Sequence, residues 1–501
     1  MLDLLIKSGS VIDGTGKAAV QADVGIVGDQ IVEVEPLPHA QARRVIPATG
    51  LLVCPGFIDI HNHAHDEAEG GILKIPGADN LLRQGITTVI AGNCGGSPLP
   101  IGDHLSSVEK EAIRMNYGLL VGHGSIRRTV MGTANRSSTP EEVAKMTDLV
   151  REAMDEGAFG MSTGLAYVPG NYSRIEEVIA LSRIAARKGG IFTSHIRNEG
   201  VGVMDAVQEV IQVAEEAELP VEISHLKLWG KGAWGRTEEL LGQIDNARKR
   251  GLYITADQYP YTACYTGLRS LVPHWALAED KLKERLRDPT LRTQIRKAMA
   301  QKIGQTGGPD RILISICKAR KELEGETLSA AADRMDLSPL EAAIELIQTN
   351  SVSAIYFAMQ EEDVQTIMRH PAVMVGTDGH LRKYRVGVSH PRNYGTFPRV
   401  LGRYTREEGL LAWPEAVRKM TALPADKLGL RSRGTIHKGK VADIVVFDPT
   451  GVRDRATFEE GHQYPEGIEY VLVNGNVAVD QGHTASGRYG RVLRRERQIG
   501  G

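Results

Sequence analysis

The chain has 501 residues, with 60 Lys and Arg against 62 Asp and Glu and a formal charge of -2. That length buries a large core without disulfide staples and points to one large domain with a smaller one beside it. The charge balance offers no basic field for nucleic acid and no polybasic anchor for a membrane surface, so polyanionic partners are not expected.

Cys54, Cys94, Cys264 and Cys317 are far apart and form no paired pattern. Such usage fits a reducing compartment and leaves a working cysteine as a ligand or nucleophile. The opening MLDLLIKSGSVIDGTG lacks a positive leader, and no later run approaches the length of a membrane span. The expectation is a soluble cytoplasmic protein, and a homo-oligomer is compatible with it.

In chain order, LLIKSGSVID and ADVGIVGDQIVEVE read as short strands broken by Gly14-Thr15-Gly16, with β-branched residues at roughly alternate positions. The last seventy residues repeat that style in GTIHKGKVADIVVFDPTG and IEYVLVNGNVAVDQG. Residues 1–55 and 424–501 are therefore expected to fold together as a small β domain.

Between them, 56–423 alternates short apolar runs with amphipathic stretches such as PEEVAKMTDLVREAMDEG, the pattern of a parallel α/β fold. Eight runs, at 57–63, 87–94, 118–124, 160–167, 191–197, 221–227, 253–261 and 372–379, fit a (β/α)₈ TIM-like barrel. RILISIC at 312–317 and SAIYFAM at 353–359 are spare strand-like runs. The charged segment near 275–350 reads as a helical insertion on the catalytic face, where barrel active sites are built.

Polar, metal-competent residues end several of these runs: His61 and His63, Cys94, His195, His225 and Asp378. A core would not choose that placement. His61 and His63 are two apart and share a strand face, and paired imidazoles suit Zn²⁺. One histidine among the 15 in the chain means little; several at successive strand ends mean more. Cys94 lies in AGNCGGSPLP, a loop signal that keeps a thiolate near the barrel mouth rather than in the core. Lys227 shares the face of His225, and Arg392 follows the last strand. Two cations converging there call for an anionic group between them.

The segments PGFIDIHNH, HIRNEG, ISHLK and GTDG resemble the amidohydrolase superfamily, and GNCGGSPLP, DQYPYTA and HPRNYGTFPRVLGRY resemble its N-acyl-D-amino-acid deacylases (D-aminoacylases). The likeness runs over essentially the whole chain. It implies zinc-dependent hydrolysis of linear amides, with Cys94, His195 and His225 on a tightly bound zinc. His61 and His63 are implied at a second, weaker metal position and Asp378 as the proton shuttle. It further implies that Lys227, Arg392 and one of the tyrosines of DQYPY grip the carboxylate of an N-acyl amino acid; Tyr259 and Tyr261 both stay open.

GMSTGLAYVPG offers no lysine where many superfamily members carry a carboxylated one on the fourth strand. His65 in HNHAHD reads as a loop residue, and Arg197 and Glu199 share the His195 face, able to orient ligands or form an ordinary ion pair. The alternatives are a cyclic-amide hydrolase like dihydropyrimidinase or dihydroorotase, a hydrolase of dipeptides containing a D-amino acid, and an inactive barrel scaffold. Side-chain and acyl preference rest with the insertion and the loops around Tyr265, Leu268 and Leu271.

Overall fold

The computed structural model describes residues 1–68, 70–349 and 352–495. The chain opens with β1 (Leu2–Val11), β2 (Val20–Val27), β3 (Gln30–Glu35), β4 (Ala42–Pro47) and β5 (Leu52–Pro55). A parallel set follows: β6 (Phe57–Asp59), β7 (Ile86–Ala91), β8 (Asn116–Leu119) with its continuation β9 (Val121–Gly122), β10 (Gly160–Gly164), β11 (Ile191–His195), β12 (Val221–Ile223) and β13 (Ile254–Gln258). An insertion carries β14 (Cys264–Gly267), β15 (Ile312–Cys317) and β16 (Val352–Tyr356); β17 (Val373–Val375) completes the set. The chain ends with β18 (Ile444–Phe447), β19 (Ile468–Val473), β20 (Asn476–Asp480) and β21 (His483–Thr484).

The parallel strands close on themselves. Pairing runs from β6 through β7 to β8, from β9 through β10, β11, β12 and β13 to β17, with every pair parallel. The seam is shut by a parallel bridge between Asn62 and Gly379, with Asp378 N–H donating to His61 O and His63 N–H to Gly379 O, both at 2.8 Å. Buried Asp59 reinforces it by accepting from Thr377 N–H at 2.9 Å and the Thr377 hydroxyl at 2.6 Å. The strands are buried on both sides, as helix-covered parallel strands must be. The helix Pro140–Asp155 shows how the connecting segments start: Thr139 and Glu142 form a capping box, with Pro140 in the first turn.

Strands from the two ends of the chain form one sheet, in the order β21-β20-β19-β18-β5-β1-β2-β3 with β4 paired to β1. The antiparallel β18–β5 ladder joins the ends. The insertion is not purely helical. Its helices, among them Pro289–Gln305 and Pro339–Gln348, pack with the antiparallel sheet β14-β16-β15 around a separate apolar core that includes Leu268, Ile295, Leu346 and Tyr356. The two spare strand-like runs belong here, outside the barrel. Among the described residues no helix is long and apolar enough to cross a membrane.

Candidate active site

The carboxyl ends of the barrel strands converge on the sulfur of Cys94. Its Sγ lies 3.4 Å from His61 Nε2, 3.5 Å from His225 Nε2 and 3.7 Å from His195 Nδ1. Two ligands on a tetrahedral zinc, with Zn–S of about 2.3 Å and Zn–N of about 2.0–2.1 Å, stand roughly 3.5 Å apart, so the spacing fits a shared ion. Two donor groups result: Cys94 with His195 and His225, and Cys94 with His61, His63 and Asp378, each with its ligand atoms within 4.8 Å of one another. Cys94 belongs to both, which lets one sulfur serve two adjoining metal positions.

Local backbone explains why these side chains face the mouth. Cys94, His225 and Asp378 have φ of 53°, 36° and 47°, a left-handed conformation costing a side-chain-bearing residue about 1–3 kcal/mol. Each turns the chain sharply just past its strand. Gly95 continues the Cys94 turn at φ 76°, where a Cβ would stand 2.6 Å from Gly164 N. A Cβ on Gly164 would in turn meet Cys94 O at 2.2 Å. The cysteine loop thus lies over the end of the fourth barrel strand and leaves no room there for a side chain.

Two buried carboxylates orient the rings. Asp257 takes His61 Nδ1 at 3.1 Å and the backbone N–H of His225 at 3.0 Å. Glu199 lies 3.0 Å from His225 Nδ1 and 3.8 Å from His195 Nε2, and it pairs with Lys227. Lys227 Nζ is itself 2.7 Å from His225 Nδ1; donation from that Nδ1 to Glu199 is the arrangement that leaves Nε2 free for a metal. Burial raises the Cys94 thiol, but the charges of His61 and His225 outweigh it and hold it well below its ordinary range, as a thiolate ligand requires.

Asp378 stands between this cluster and a cation. Its Oδ1 is 2.9 Å from His63 Nε2 and 3.5 Å from His61 Nε2, while Oδ2 accepts from Arg392 at 2.7 Å. Arg392 is fully buried, with its guanidinium 4.9 Å from the Tyr259 ring centre. These groups line a cavity of about 310 Å³ with Lys227, Trp229, Tyr265 and His380.

The amidohydrolase family model matches residues 44–252 and 319–479. The chain belongs to the amidohydrolase family. Over 98% of both chains it is 36% identical to a D-aminoacylase of Alcaligenes xylosoxydans xylosoxydans. With an N-acyl-D-glutamate deacylase of the same organism it shares 37% identity, over all of this chain and 98% of that one. The crystal structure of an N-acyl-D-glutamate deacylase from Bordetella bronchiseptica, complexed with zinc and a phosphonate mimic of the tetrahedral intermediate, superposes with a TM-score of 0.86 at 36% identity, covering 98% of this chain and 99% of that one.

Within this amidohydrolase the two tyrosines of DQYPY part company. β13 ends at Gln258, and Tyr261 N–H bonds back to Tyr259 O at 3.0 Å, so strand alternation no longer governs them. Tyr259 lines the cavity, and its buried hydroxyl has no hydrogen-bond partner among the described residues. Tyr261 points elsewhere, against His390, Phe458 and Arg399; of the two tyrosines left open by the sequence, only Tyr259 faces the cavity. His65 accepts Gly92 N–H at 3.0 Å through Nδ1 and belongs to neither donor group. Burial and the neighbouring His63 lower it to about 3.

Sequence reasoning passed over Asp257 and His380. Asp257 stands one residue before Gln258 in the same DQYPY segment, and alternation from Thr255 would have placed it on one face of the strand. His380 directly follows GTDG; its ring stacks on His63 at 4.9 Å, and burial holds it well below the usual imidazole range.

Proposed function

We propose that the protein is a zinc-dependent deacylase that hydrolyses the amide bond of N-acyl-D-amino acids, releasing a carboxylate and a free D-amino acid. The observation that carries this reading is one sulfur within 3.4–3.7 Å of three imidazole nitrogens, with Asp378 beside it. The names of the relatives support the substrate class and its hand. Cys94, His195 and His225 would hold the tightly bound ion, and His61 and His63 a second one sharing the sulfur. A divalent metal there supplies a Lewis acid for the acyl carbonyl and lowers the pKa of water from 15.7 toward about 7.

The chain's own residues do the rest. Asp378 accepts the proton of the attacking water and returns it to the amide nitrogen as the C–N bond breaks, so one carboxylate serves both steps. Arg392 takes the substrate carboxylate in a two-pronged pair, and the unpartnered Tyr259 hydroxyl donates to it. Lys227, paired with Glu199 in the free protein, adds positive charge to the same wall. A reducing, cytoplasmic setting belongs to this reading and is supported by four free cysteines.

A panel of N-acetyl amino acids of both hands, with hydantoin and dihydroorotate alongside, tests it on zinc-loaded and chelator-stripped protein. The expected result is turnover of the D series by the zinc-loaded form alone. Preferred turnover of a cyclic amide, or equal rates with and without metal, would overturn it.

A further inference from the structure

A second chamber of about 440 Å³, mostly apolar, adjoins the catalytic cavity. Tyr167, His195, Glu199, Trp229 and Thr266 line both spaces, whereas Asp378, Tyr259, His380 and Arg392 line the catalytic cavity only. The chamber therefore opens on the His195 side of the cluster, away from Arg392. It lies between barrel loops and the insertion, whose Leu271 and the helix Pro289–Gln305 form its far wall. Tyr167 marks the passage: its ring packs 4.5 Å from that of His195, and its hydroxyl meets Thr266 Oγ1 at 3.3 Å.

We infer that this chamber receives the acyl group of the substrate, and that the enzyme acts on N-acyl-D-amino acids carrying extended, fatty-acyl-type chains in preference to acetyl. The inference rests on the deacylase reading. In such a substrate the carboxylate and the acyl group leave the amide in opposite directions. With the carboxylate on Arg392 and the carbonyl at the Cys94 cluster, the acyl chain continues past His195 into the chamber.

The chamber's chemistry suits a hydrocarbon. Trp229, Tyr167, Leu271 and Ala166 supply carbon surface. The charged groups around them are already engaged. Arg197 forms a two-pronged pair with Glu209 at 2.9 and 2.7 Å, and Lys302 donates to the carbonyls of Ser270 and Val272 at 2.7 and 3.4 Å. Burial lowers His274 to about 4, leaving it neutral, and Lys231 is exposed to solvent.

Gly304 gives a clean test. It lines the chamber within the helix Pro289–Gln305, its φ is ordinary for a helix, and a Cβ built on it meets no atom within 4 Å. Gly304 is exposed at the edge of the chamber, so Gly304→Phe is expected to narrow it from outside the catalytic machinery, and Gly304→Leu to narrow it less. On the zinc-loaded full chain, kcat/KM for N-octanoyl over N-acetyl derivatives of one D-amino acid is expected to be on the order of a hundredfold, about half of the free energy that the six added methylenes would give if each were fully buried at about fourfold apiece. Gly304→Phe is expected to remove most of that gain while leaving N-acetyl turnover in place, with Gly304→Leu intermediate. Octanoate should inhibit wild type far more strongly than acetate, and Gly304→Phe should erase the difference.

A flat chain-length series, or equal losses on both substrates, overturns the inference. So does a Gly304→Phe defect that follows the size of the amino-acid side chain rather than the acyl group. Absence of cleavage for every N-acyl amino acid would instead sink the deacylase reading, and the acyl chamber with it.

Discussion

Arg392 donates to Asp378 Oδ2 at 2.7 Å while the other oxygen of that carboxylate lies 2.9 Å from His63 Nε2. One side chain thus links the cation suited to a substrate carboxylate with the metal-competent cluster. Burial raises Asp378, but Arg392 and the imidazoles outweigh it and keep the group ionised. On the deacylase proposal, a substrate carboxylate drawing Arg392 toward itself would free Asp378 to act as a base beside the reacting carbonyl, and binding and proton transfer would be coupled through a single ion pair.

Asp378→Asn tests the proton-transfer role. The variant is expected to keep its tightly bound zinc, since Cys94, His195 and His225 are untouched, while kcat falls by about 10²–10⁴. Metal analysis and steady-state rates on the same preparation check this. Near-normal turnover with full metal would remove Asp378 from the mechanism.

Arg392→Gln addresses the other end of the pair. Hydrogen bonds to a charged group are worth about 1.5–3 kcal/mol, so kcat/KM for an N-acyl-D-amino acid is expected to fall about ten- to hundredfold. The loss should be much smaller for the corresponding C-terminal amide, which has no charge to lose. Equal losses on acid and amide would assign Arg392 to holding Asp378 alone.

Much of this arrangement is legible in the chain because it violates the core's chemistry. His61, Cys94, His195, His225 and Asp378 each end an apolar run, and a barrel brings strand ends together whatever lies between them. The eight strand positions were readable because short runs, most of them containing Val or Ile, alternate with amphipathic helical stretches along 56–423. What stayed hidden depends on contacts the chain does not encode locally. Asp257 reaches His61 across 196 positions, and nothing in DQYPY announces that partner. Tyr261 leaves the cavity because β13 stops at Gln258, a boundary periodicity does not resolve. The insertion reads as helical from its charge, while β16 finds its partners in β15 and in β14, the latter on the far side of a long connection.

The sequence leaves Glu199 open as a ligand-orienting group or half of an ordinary ion pair, and it stands within 3.8 Å of the outward nitrogens of both His195 and His225. Glu199→Gln is expected to weaken zinc affinity about 10–100-fold, the usual consequence of losing a group that orients a ligating histidine. Competition with a chromophoric chelator measures it. Excess zinc should restore much of the activity; unchanged affinity would reduce Glu199 to a partner for Lys227.

Away from the metal cluster, the fold rests on another buried charge group. Glu177 lies 2.8 Å from His123 Nε2 and also pairs with Arg127, all of them buried. Burial raises Glu177, but His123 and Arg127 outweigh it and lower it to about 2 from an ordinary 4.5. A carboxylate with a depressed folded pKa stabilises the fold above its unfolded pKa and loses that contribution as pH falls toward the folded one. Thermal midpoints are therefore expected to drop between about pH 4.5 and 2. Glu177→Gln strands the Arg127 charge and should cost about 3–5 kcal/mol at neutral pH, with a shallower acid decline because the titrating group is gone. A variant with wild-type stability at neutral pH and an unchanged acid limb would show that Arg127 finds its compensation elsewhere, in the Arg136 carbonyl it already contacts at 2.6 Å.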